Sequence, residues 1–402
     1  MVPDYQRILK VAQREQEAVA RFLADIVSIP SPSCGEGAVV ERIGEEMTRA
    51  GFDEVRVDGL GSIIGRIGRG KTVIAMDAHI DTVDVGNREL WSFDPHKAFV
   101  KDGKVWGRGS ADQKGGMASM VLAGKIIKEL HLEGDYTLLV TGTVMEEDCD
   151  GLCWQYLIEE EKIKPDVCVI TEPTGLRIYR GHRGRMEMEA RVTGLSAHGS
   201  APERGENAVY KMAPLVLEIE KLNERLKSDR FLGKGTVVVS QISSVGPSQC
   251  AVPDGCRIYL DRRLTEGETK ELAVSQIEEI VAKAGGRVSV PVYENKAYTG
   301  RVYRTEKYYP TWSIPEGHPA VAASAAACKG LFGEVPAIDK WTFSTNGVAI
   351  CGMHRIPCVG FGPGFEEQAH APNEWTPVEH LCRAAAFYAA FPGEFLAASR
   401  KS

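Results

Sequence analysis

Apolar runs of strand length alternate with amphipathic stretches of helical length through the first 170 residues of the chain. The apolar runs are rich in Val, Ile and Thr, which favours strands, and the stretches between them have helical spacing. This alternation predicts an α/β domain with a mostly parallel central sheet. The predicted strands are 55–58, 62–67, 72–78, 136–145 and 166–171, and the predicted helices are 4–23, 36–50, 114–130 and 151–161.

The pattern changes near residue 181 to a strand-helix-strand-strand-helix-strand order, which is typical of a ferredoxin-like α+β unit. Its predicted strands are 186–192, 235–243, 256–260 and 287–293, and its predicted helices are 207–226 and 268–283. After residue 299 the first pattern resumes, with a strand at 357–361 and a last helix at 378–390. We therefore predict a catalytic domain formed by residues 1–182 and 295–402, with a second domain, residues 183–294, inserted in it.

The composition narrows the class of protein. Of 402 residues, 43% are hydrophobic and 26% charged, which is the balance of a globular protein. The 48 basic and 55 acidic residues leave a formal charge of −7, which argues against nucleic acid or an anionic membrane as a partner. No run approaches the ~20 apolar residues of a membrane span. The first residues carry charges throughout, and the ten cysteines form no CxxC pair, so we expect a cytoplasmic protein with reduced thiols.

Polar side chains follow the predicted strands. His79 and Asp81 leave the strand TVIAMDA together, because residues two apart point to the same side of an extended chain. This pair suits a metal ligand and a carboxylate that orients it, although a polar loop after a strand is the simpler interpretation. Asp112 precedes a predicted helix, where it is either an N-cap or a carboxylate held beside a metal.

Three adjacent acids, Glu146, Glu147 and Asp148, follow the strand YTLLVTGTVM. They indicate either a solvated loop or a site where one acid binds a metal and its neighbour acts as a base. Glu172 ends the next strand, and His370 follows the late strand PCVGFGPG. Because open α/β sheets build their sites at the carboxyl ends of strands, this set of His and carboxylate side chains predicts a hydrolytic centre with two divalent ions.

Five motifs in order, HIDTV, WGRGSADQKGGM, MEED, TEP and AHAPNEW, resemble those of the dinuclear-zinc aminoacylase and exopeptidase family. That family includes acetylornithine deacetylase, succinyl-diaminopimelate desuccinylase and glutamate carboxypeptidase. The stretches EEDCDGLCW, RGHRGRMEME and DKWTFSTNG look closest to its selenium-metabolism-linked hydrolase subgroup. The resemblance covers nearly the whole chain, and it implies that the inserted domain is a lid through which the protein forms a homodimer.

The resemblance also implies a role for each motif residue. Asp112 would bridge two metal ions, with Glu147 and His370 on one ion and His79 and Glu172 on the other. Asp81 would orient the imidazole of His79. Glu146 would be the general base that deprotonates the attacking water and then protonates the leaving amine. Zinc is the expected metal, with cobalt and manganese as alternatives.

Three further residues are implied as contacts of the substrate. His198, in LSAHGSAPERG, would reach the active site of the partner subunit and stabilise the oxyanion, although without the resemblance it is an exposed loop histidine. Arg263 would bind a substrate carboxylate, or else form a surface ion pair. Asn346 stands where the family often has the last residue of a Gly-Gly-Thr-Asp specificity motif.

Some positions depart from the family pattern. Cys250 stands where relatives often carry an Asn before Val-Ile-Pro, so the specificity cannot be transferred with the chemistry. Cys149 and Cys153 flank the acidic loop, where they either pack a tight turn or act as a redox switch or extra ligand.

The complete set of motifs predicts a metal-dependent hydrolase that cleaves a linear amide bond of a small N-acyl or N-carbamoyl amino acid, using a water activated by two metals. A dipeptidase or carboxypeptidase is the alternative within enzymes. A metal-dependent binding protein without catalysis is the alternative from another class, and the presence of Glu146 argues against it.

Overall fold

The computed structural model describes residues 4–400. Helices in this part of the chain are α1 (Tyr5–Arg14), α2 (Gln16–Val27), α3 (Gly37–Arg49), α4 (Lys114–Leu130), α5 (Leu152–Glu159), α6 (Ala208–Arg225), α7 (Lys270–Val281), α8 (Pro319–Phe332) and α9 (Val378–Ser399). None of them combines the length and the apolar character that a membrane crossing requires.

The strands of the two main sheets are β1 (Glu54–Val57), β2 (Ile63–Ile67), β3 (Thr72–His79), β4 (Tyr136–Thr143), β5 (Val167–Ile170), β6 (Ile178–Tyr179), β7 (Gly184–Thr193), β8 (Thr236–Val245), β9 (Gly255–Leu264), β10 (Arg287–Ser289), β11 (Tyr308–Tyr309), β12 (Ile338–Asp339) and β13 (Cys358–Gly360). Short strands of two or three residues lie at Phe99–Lys101, Lys104–Trp106, Gly181–His182, Ser228–Asp229, Gly233–Lys234, Val292–Tyr293, Thr305–Glu306, Trp312–Ser313 and Trp375–Pro377.

The central sheet has the order β1-β2-β4-β3-β5-β13-β6-β12. In the middle of the sheet, β3 is parallel to β4 and to β5, and β5 is parallel to β13. The strands β1, β2 and β6 add antiparallel pairs. Helices α4, α8 and α9 pack against one another and bury apolar side chains over this sheet. The predicted α/β class with a mostly parallel sheet is confirmed.

The second sheet has the order β8-β9-β7-β10, with β11 added beside β7, and all of its described pairs are antiparallel. Its strands and the helices α6 and α7 follow the ferredoxin-like order, and they enclose an apolar cluster separate from that of the central sheet. We call this unit the lid. The domain boundaries at residues 183 and 294 stay a prediction, and β11 extends the lid sheet with residues beyond them.

Several predicted elements have different bounds. The single helix expected at 4–23 is two helices, because Glu15 leaves the helical path while its carboxylate pairs with Arg14 and Lys125. The strand expected at 287–293 is interrupted at Pro291, which has no N–H for a ladder. The last helix continues to Ser399 even though Pro392 lies within it.

Helix α8 has no counterpart among the predicted elements, although its end signals are present in the sequence. His318 caps the helix by accepting the amide of Ala320, Pro319 occupies the first turn, and Gly333 ends it with a φ of 81°. The run 320–328 is apolar, but its alanines give no clear helical period. The helix follows from its caps and from burial against α9.

Candidate metal centre

Three neighbouring strand ends bring the candidate ligands to one edge of the central sheet. His79 is the last residue of β3, opposite Thr143 at the end of β4. Glu146 and Glu147 follow β4, and Glu172 follows β5 by two residues. Because β3 is parallel to both neighbours, these chain segments leave the sheet on the same side.

The first candidate ligand group consists of His79, Asp112 and Glu172, all buried. The Nε2 atom of His79 lies 3.0 Å from Oδ1 of Asp112 and 3.6 Å from Oε1 of Glu172. The sequence left two roles for Asp112, an N-cap or a carboxylate beside a metal. Gln113 occupies the cap position of α4, and the carboxylate of Asp112 faces His79. One imidazole and two carboxylates converge in this group, which suits a divalent cation.

The second candidate group consists of Asp112, Glu147 and His370. The Nε2 atom of His370 lies 3.0 Å from Oε2 of Glu147 and 3.4 Å from Oδ2 of Asp112. The two oxygens of Asp112 therefore face different histidines, Oδ1 towards His79 and Oδ2 towards His370. A carboxylate in this position can bridge two cations.

Asp81 is buried beneath both groups and holds them in two ways. Its backbone carbonyl lies 3.0 Å, and its carboxylate 3.5 Å, from Nδ1 of His79, which leaves Nε2 free to act as a ligand atom. The carboxylate also accepts the backbone amides of Glu146 at 3.2 Å and Glu147 at 3.1 Å, and the hydroxyl of Ser33 at 2.6 Å. Asp81 thus orients the acidic loop as well as the imidazole.

The electrostatics of the cluster favour the binding of cations. Burial and the neighbouring carboxylates raise the pKa of Glu146 and of Glu172 well above the usual range, and burial and Asp112 raise the pKa of Glu147. Burial alone would lower the pKa of His79, but Glu172 and Asp112 outweigh it and raise that pKa. So many carboxylates remain ionised together only if cations neutralise them.

Two buried carboxylate oxygens support this conclusion. Within residues 4–400, neither Oε1 of Glu146 nor Oε2 of Glu172 has a hydrogen-bond partner. A buried acceptor without a partner costs free energy unless a ligand satisfies it. The donor set of imidazoles and carboxylates in two groups that share Asp112 therefore fits two divalent ions.

The structure adds a residue that the sequence interpretation missed, Glu374. Its buried carboxylate accepts the backbone amides of Gly109, Ala111 and Asp112 at 2.7–3.0 Å and pairs with Arg108 at 2.8 Å. Burial raises the pKa of Glu374 to about 7, although Arg108 opposes that shift. Glu374 stands in the motif AHAPNEW, but nothing in the sequence indicated that it holds the Asp112 loop.

Glu36 also supports the site by accepting backbone amides. Its Oε1 atom accepts the backbone amides of Cys34 and Met145, both at 3.0 Å. Both of these residues have left-handed backbone, with φ of 69° and 62°, and Met145 directly precedes Glu146. The segment SIPSPSCGEG, which contains Cys34 and Glu36, therefore supports the acidic loop.

A cavity of about 300 Å³ opens over the two ligand groups. Its lining comes from both units: His79, Asp112, Glu146, Glu147, Asp150, Glu172, Phe343, Ser344, Glu366, Ala369 and His370 from the catalytic part, and Arg185 and Arg263 from the lid. Glu146 belongs to neither ligand group, although its Oε2 lies 3.9 Å from Nε2 of His79. It is therefore a carboxylate beside the candidate ions with a free oxygen.

The three residues expected to contact substrate have different positions. Arg263 lines the cavity and makes a bidentate pair with Asp261 at 2.8 and 3.0 Å. His198 is exposed on the lid, is not part of this lining, and its Nδ1 lies 2.7 Å from the hydroxyl of Ser200. The single chain therefore does not bring His198 to its own site.

Asn346 does not line the cavity either. Its side-chain amide donates to Asp77 at 2.8 Å and to Thr143 at 3.1 Å, and its oxygen accepts the amide of Gly151 and the thiol of Cys153. All of these contacts are buried. The hydrogen-bonding atoms of the Asn346 side chain are therefore all paired beneath the site, whereas Ser344, two residues earlier, lines the cavity.

The two cysteines of the acidic loop are buried. Burial raises the pKa of Cys149 to about 12, and Cys149 accepts a hydrogen bond from Tyr309. Neither Cys149 nor Cys153 belongs to a candidate ligand group among the described residues. All ten cysteines lie within residues 4–400, and all have free thiols.

The chain is similar to known proteins in sequence and in fold. Residues 75–393 match the family described as Peptidase family M20/M25/M40. The chain is 55% identical over 395 residues to the uncharacterized protein YgeY of Escherichia coli (strain K12), covering 98% of both chains. It is 28% identical over 365 residues to acetylornithine deacetylase of Vibrio parahaemolyticus, covering 88% of this chain and 90% of the relative. The crystal structure of aminopeptidase PepT from Bacillus cereus has the same fold, with a TM-score of 0.73, 24% identity, and coverage of 95% and 99%.

Proposed function

Because the chain belongs to peptidase family M20/M25/M40, and is therefore a metallohydrolase of amide bonds, we propose that it cleaves the linear amide bond of a small N-acyl or N-carbamoyl amino acid. The observation that carries this proposal is the pair of ligand groups sharing Asp112, with the free carboxylate of Glu146 beside them. The similarity to an acetylornithine deacetylase favours an N-acyl substrate.

The residues of the chain suggest how the reaction proceeds. Two divalent ions, when bound, would polarise the scissile carbonyl and lower the pKa of water. Glu146 takes a proton from the attacking water as the new C–O bond forms. When the C–N bond breaks, Glu146 returns that proton to the leaving nitrogen. The products are a carboxylic acid, or a carbamic acid, and a free amine.

We assign His79 and Glu172 to one ion, Glu147 and His370 to the other, and Asp112 to both. Zinc is the proposed metal, because imidazole and carboxylate donors bind zinc more tightly than manganese, and cobalt stays an alternative. Asp81 positions these ligands through His79 and through the amides of the acidic loop.

We also propose a homodimer formed through the lid. Strand β8 is an edge of the lid sheet, and it carries the exposed apolar residues Val238, Ile242 and Val245. An exposed edge of this kind is a template for pairing with another chain. In such a dimer the exposed His198 would reach the cavity of the partner subunit and stabilise the oxyanion.

The free thiols support a cytoplasmic location, because an oxidising compartment favours disulfides. Arg263 would bind a carboxylate of the substrate, which an N-acyl amino acid and a dipeptide both carry. Hydrolysis of dipeptides is therefore the competing activity, and it needs a direct comparison.

The test is a panel of N-acyl and N-carbamoyl amino acids and of dipeptides, assayed with Zn²⁺, Mn²⁺ or Co²⁺. We expect the acyl derivatives to have the higher kcat/KM. Higher values for dipeptides would make the protein a dipeptidase, and no turnover of any compound with both ions bound would refute the proposed activity.

Two matched variants separate the base from the ligands. Glu146→Gln should lower kcat by about 10²–10⁴-fold with metal content near two per subunit. Glu147→Gln, one residue later in the same loop, should lose metal as well as activity. Full activity in the Glu146 variant would show that another group accepts the proton.

A further inference from the structure

One carboxylate in the wall of the catalytic cavity has no cation beside it. Apart from the two ligand groups and the proposed general base, the charged residues of the lining are Asp150, Arg185, Arg263 and Glu366. Arg185 pairs with Asp150 at 2.9 Å, and Arg263 pairs with Asp261 at 2.8 Å. Among residues 4–400, the carboxylate of Glu366 makes no ion pair. The cavity therefore presents an acceptor that the chain itself does not neutralise.

Neutral donors hold Glu366 in place. Its Oε2 atom accepts the hydroxyl of Thr342 at 2.7 Å and the backbone amide of the same residue at 3.3 Å. Glu366 begins a short helical turn, and the ring of the preceding Phe365 packs against His380 with 4.9 Å between the ring centroids. These contacts fix the direction of the carboxylate but leave its charge uncompensated, so little conformational entropy is lost when a ligand binds it.

Two basic residues share a second cavity with Glu366, but neither neutralises it. Glu366 lines both this cavity and the catalytic one, and Arg177 and Lys340 line the second cavity alone. Arg177 pairs with Asp339 at 3.5 Å, and Lys340 lies 3.9 Å from the same carboxylate. The carboxylate that these two bases contact is therefore Asp339.

A buried hydroxyl in the wall of the catalytic cavity also lacks a partner. The Oγ atom of Ser344 is buried and has no hydrogen-bond partner among residues 4–400, although Ser344 lines the cavity. The segment that contains Thr342 and Ser344 is fixed at both ends, since Trp341 is buried and the hydroxyl of Thr345 lies 3.0 Å from Nε2 of His182. A buried hydroxyl without a partner costs free energy unless a ligand satisfies it. Ser344 therefore indicates, independently of Glu366, a polar ligand group in this part of the cavity.

Together the two residues favour one kind of ligand group. A carboxylate only accepts hydrogen bonds, and a hydroxyl can accept them as well. A group with several N–H donors satisfies both Glu366 and Ser344. A carboxylate in the same place is repelled by Glu366, and an alkyl group leaves the hydroxyl of Ser344 without a partner. Ammonium and ureido groups have the required N–H donors.

We propose that Glu366 and Ser344 form a subsite for an N–H donor group, an ammonium or a ureido group, at the end of the substrate's side chain. The inference rests on the proposed function and deepens it, because it restricts the substrate to N-acyl or N-carbamoyl amino acids with such a side chain. Glu366 determines this specificity. Amino acids with an alkyl side chain bind the same cavity more weakly.

Binding to a variant without the proposed base tests the subsite independently of turnover. Nα-acetyl-L-lysine, Nα-acetyl-L-citrulline and the alkyl analogue Nα-acetyl-L-norleucine are titrated calorimetrically into the zinc-loaded Glu146→Gln protein. We expect a donor compound to bind about tenfold more tightly than the norleucine compound, and this preference to be lost when Glu366→Ala is added. Tighter binding of the lysine compound identifies an ammonium, and tighter binding of the citrulline compound identifies a ureido group. Equal binding of all three compounds overturns the proposal.

Two further variants separate specificity from structure. Glu367→Ala changes the next residue, which is exposed and does not line the catalytic cavity, so the donor preference should stay intact. Ser344→Ala leaves the contact of Glu366 with Thr342 intact and should lower the preference about threefold, so it tests the subsite even where the Glu366 variant does not fold. If Glu366 serves only to hold Thr342, Glu366→Ala weakens all three compounds by the same factor, and the subsite is refuted.

The failure of this inference is distinguishable from the failure of the proposed function. Turnover of N-acyl amino acids without any donor preference in binding would keep the activity and refute the subsite. A donor preference that depends on Glu366, in a protein whose wild type hydrolyses none of the panel, would keep the subsite and refute the activity.

Discussion

The carboxylate of Glu374 accepts the backbone amide of Asp112 at 3.0 Å, although the two residues lie 262 positions apart in the chain. The contact fixes the start of the loop that presents Asp112 to both candidate ions. Asp112 is thus held by a residue near the C-terminal end of the chain, and the site forms only when these distant segments have packed together.

Replacing Glu374 with Ala should therefore damage both stability and metal binding. The change leaves Arg108 buried with its pair broken and three amides without an acceptor, which should cost about 3–5 kcal/mol of unfolding free energy. Denaturant unfolding and metal analysis measure both effects. Glu374→Gln, which can still accept the amides of Ala111 and Asp112, should lose less of each. Two bound metals and unchanged stability in the Ala variant would contradict this role.

Replacing Asn346 should lower the stability of the protein, whereas replacing Ser344 should raise KM. Asn346→Ala removes the acceptor of the Gly151 amide and the donor to Oδ2 of Asp77, at about 1–3 kcal/mol each, so it should lower the stability. Ser344 lines the cavity and its hydroxyl has no partner among residues 4–400, so Ser344→Ala should leave stability unchanged while KM rises about 3–10-fold. A large rise in KM for a stable Asn346 variant would restore that residue to the substrate site.

The stability of the protein should depend on the protonation of His182 between pH 6.5 and 4. Burial lowers the pKa of His182 to about 4. The Nε2 atom of His182 accepts the indole N–H of Trp312 and the amide of Thr345, and these two hydrogen bonds require that it carry no proton. The unfolded chain binds a proton below pH 6.5 and the folded chain does not. The contribution, about 3 kcal/mol, is therefore present above pH 6.5 and is lost as the pH falls through 4.

Urea unfolding of the chelated protein across this range measures the effect. His182→Gln should take up about one proton fewer on unfolding than the wild type. His380, whose pKa burial also lowers to about 4, offers a matched control, because His380→Gln should reduce the uptake by a similar amount. The same slope in wild type and in both variants would contradict the assignment of neutral buried histidines.

The proposed dimer makes a prediction for His198. His198→Ala subunits and Glu146→Gln subunits should each be inactive alone, but a mixed dimer has one cavity with both groups intact. Such a dimer should recover up to half of the wild-type activity, measured after mixing and refolding with two affinity tags. A purified heterodimer without activity would show that His198 does not act across the interface.

The sequence by itself determined the class of the fold and the candidate ligands of the site. Val- and Ile-rich runs specify buried strands through local spacing, and His79, Glu147 and Glu172 stand at the ends of those strands, where parallel pairing must bring them together. Spacing within one strand and the parallel pairing of strands are sufficient to derive this set of candidates. Asp112 and His370 were candidates as well, but only the resemblance implied which ion each would bind, since neither ends a strand.

Only the tertiary structure decided which polar residues support the site and which face the substrate. Glu374 and Glu36 accept backbone amides of residues that are distant in the chain. The hydrogen-bonding atoms of the Asn346 side chain are all paired beneath the site. Arg185 lines the cavity only because the lid lies over it. Such contacts depend on how separate segments pack, and no local period records them. The physical reason is that a buried polar group must find its partner in three dimensions, wherever along the chain that partner lies.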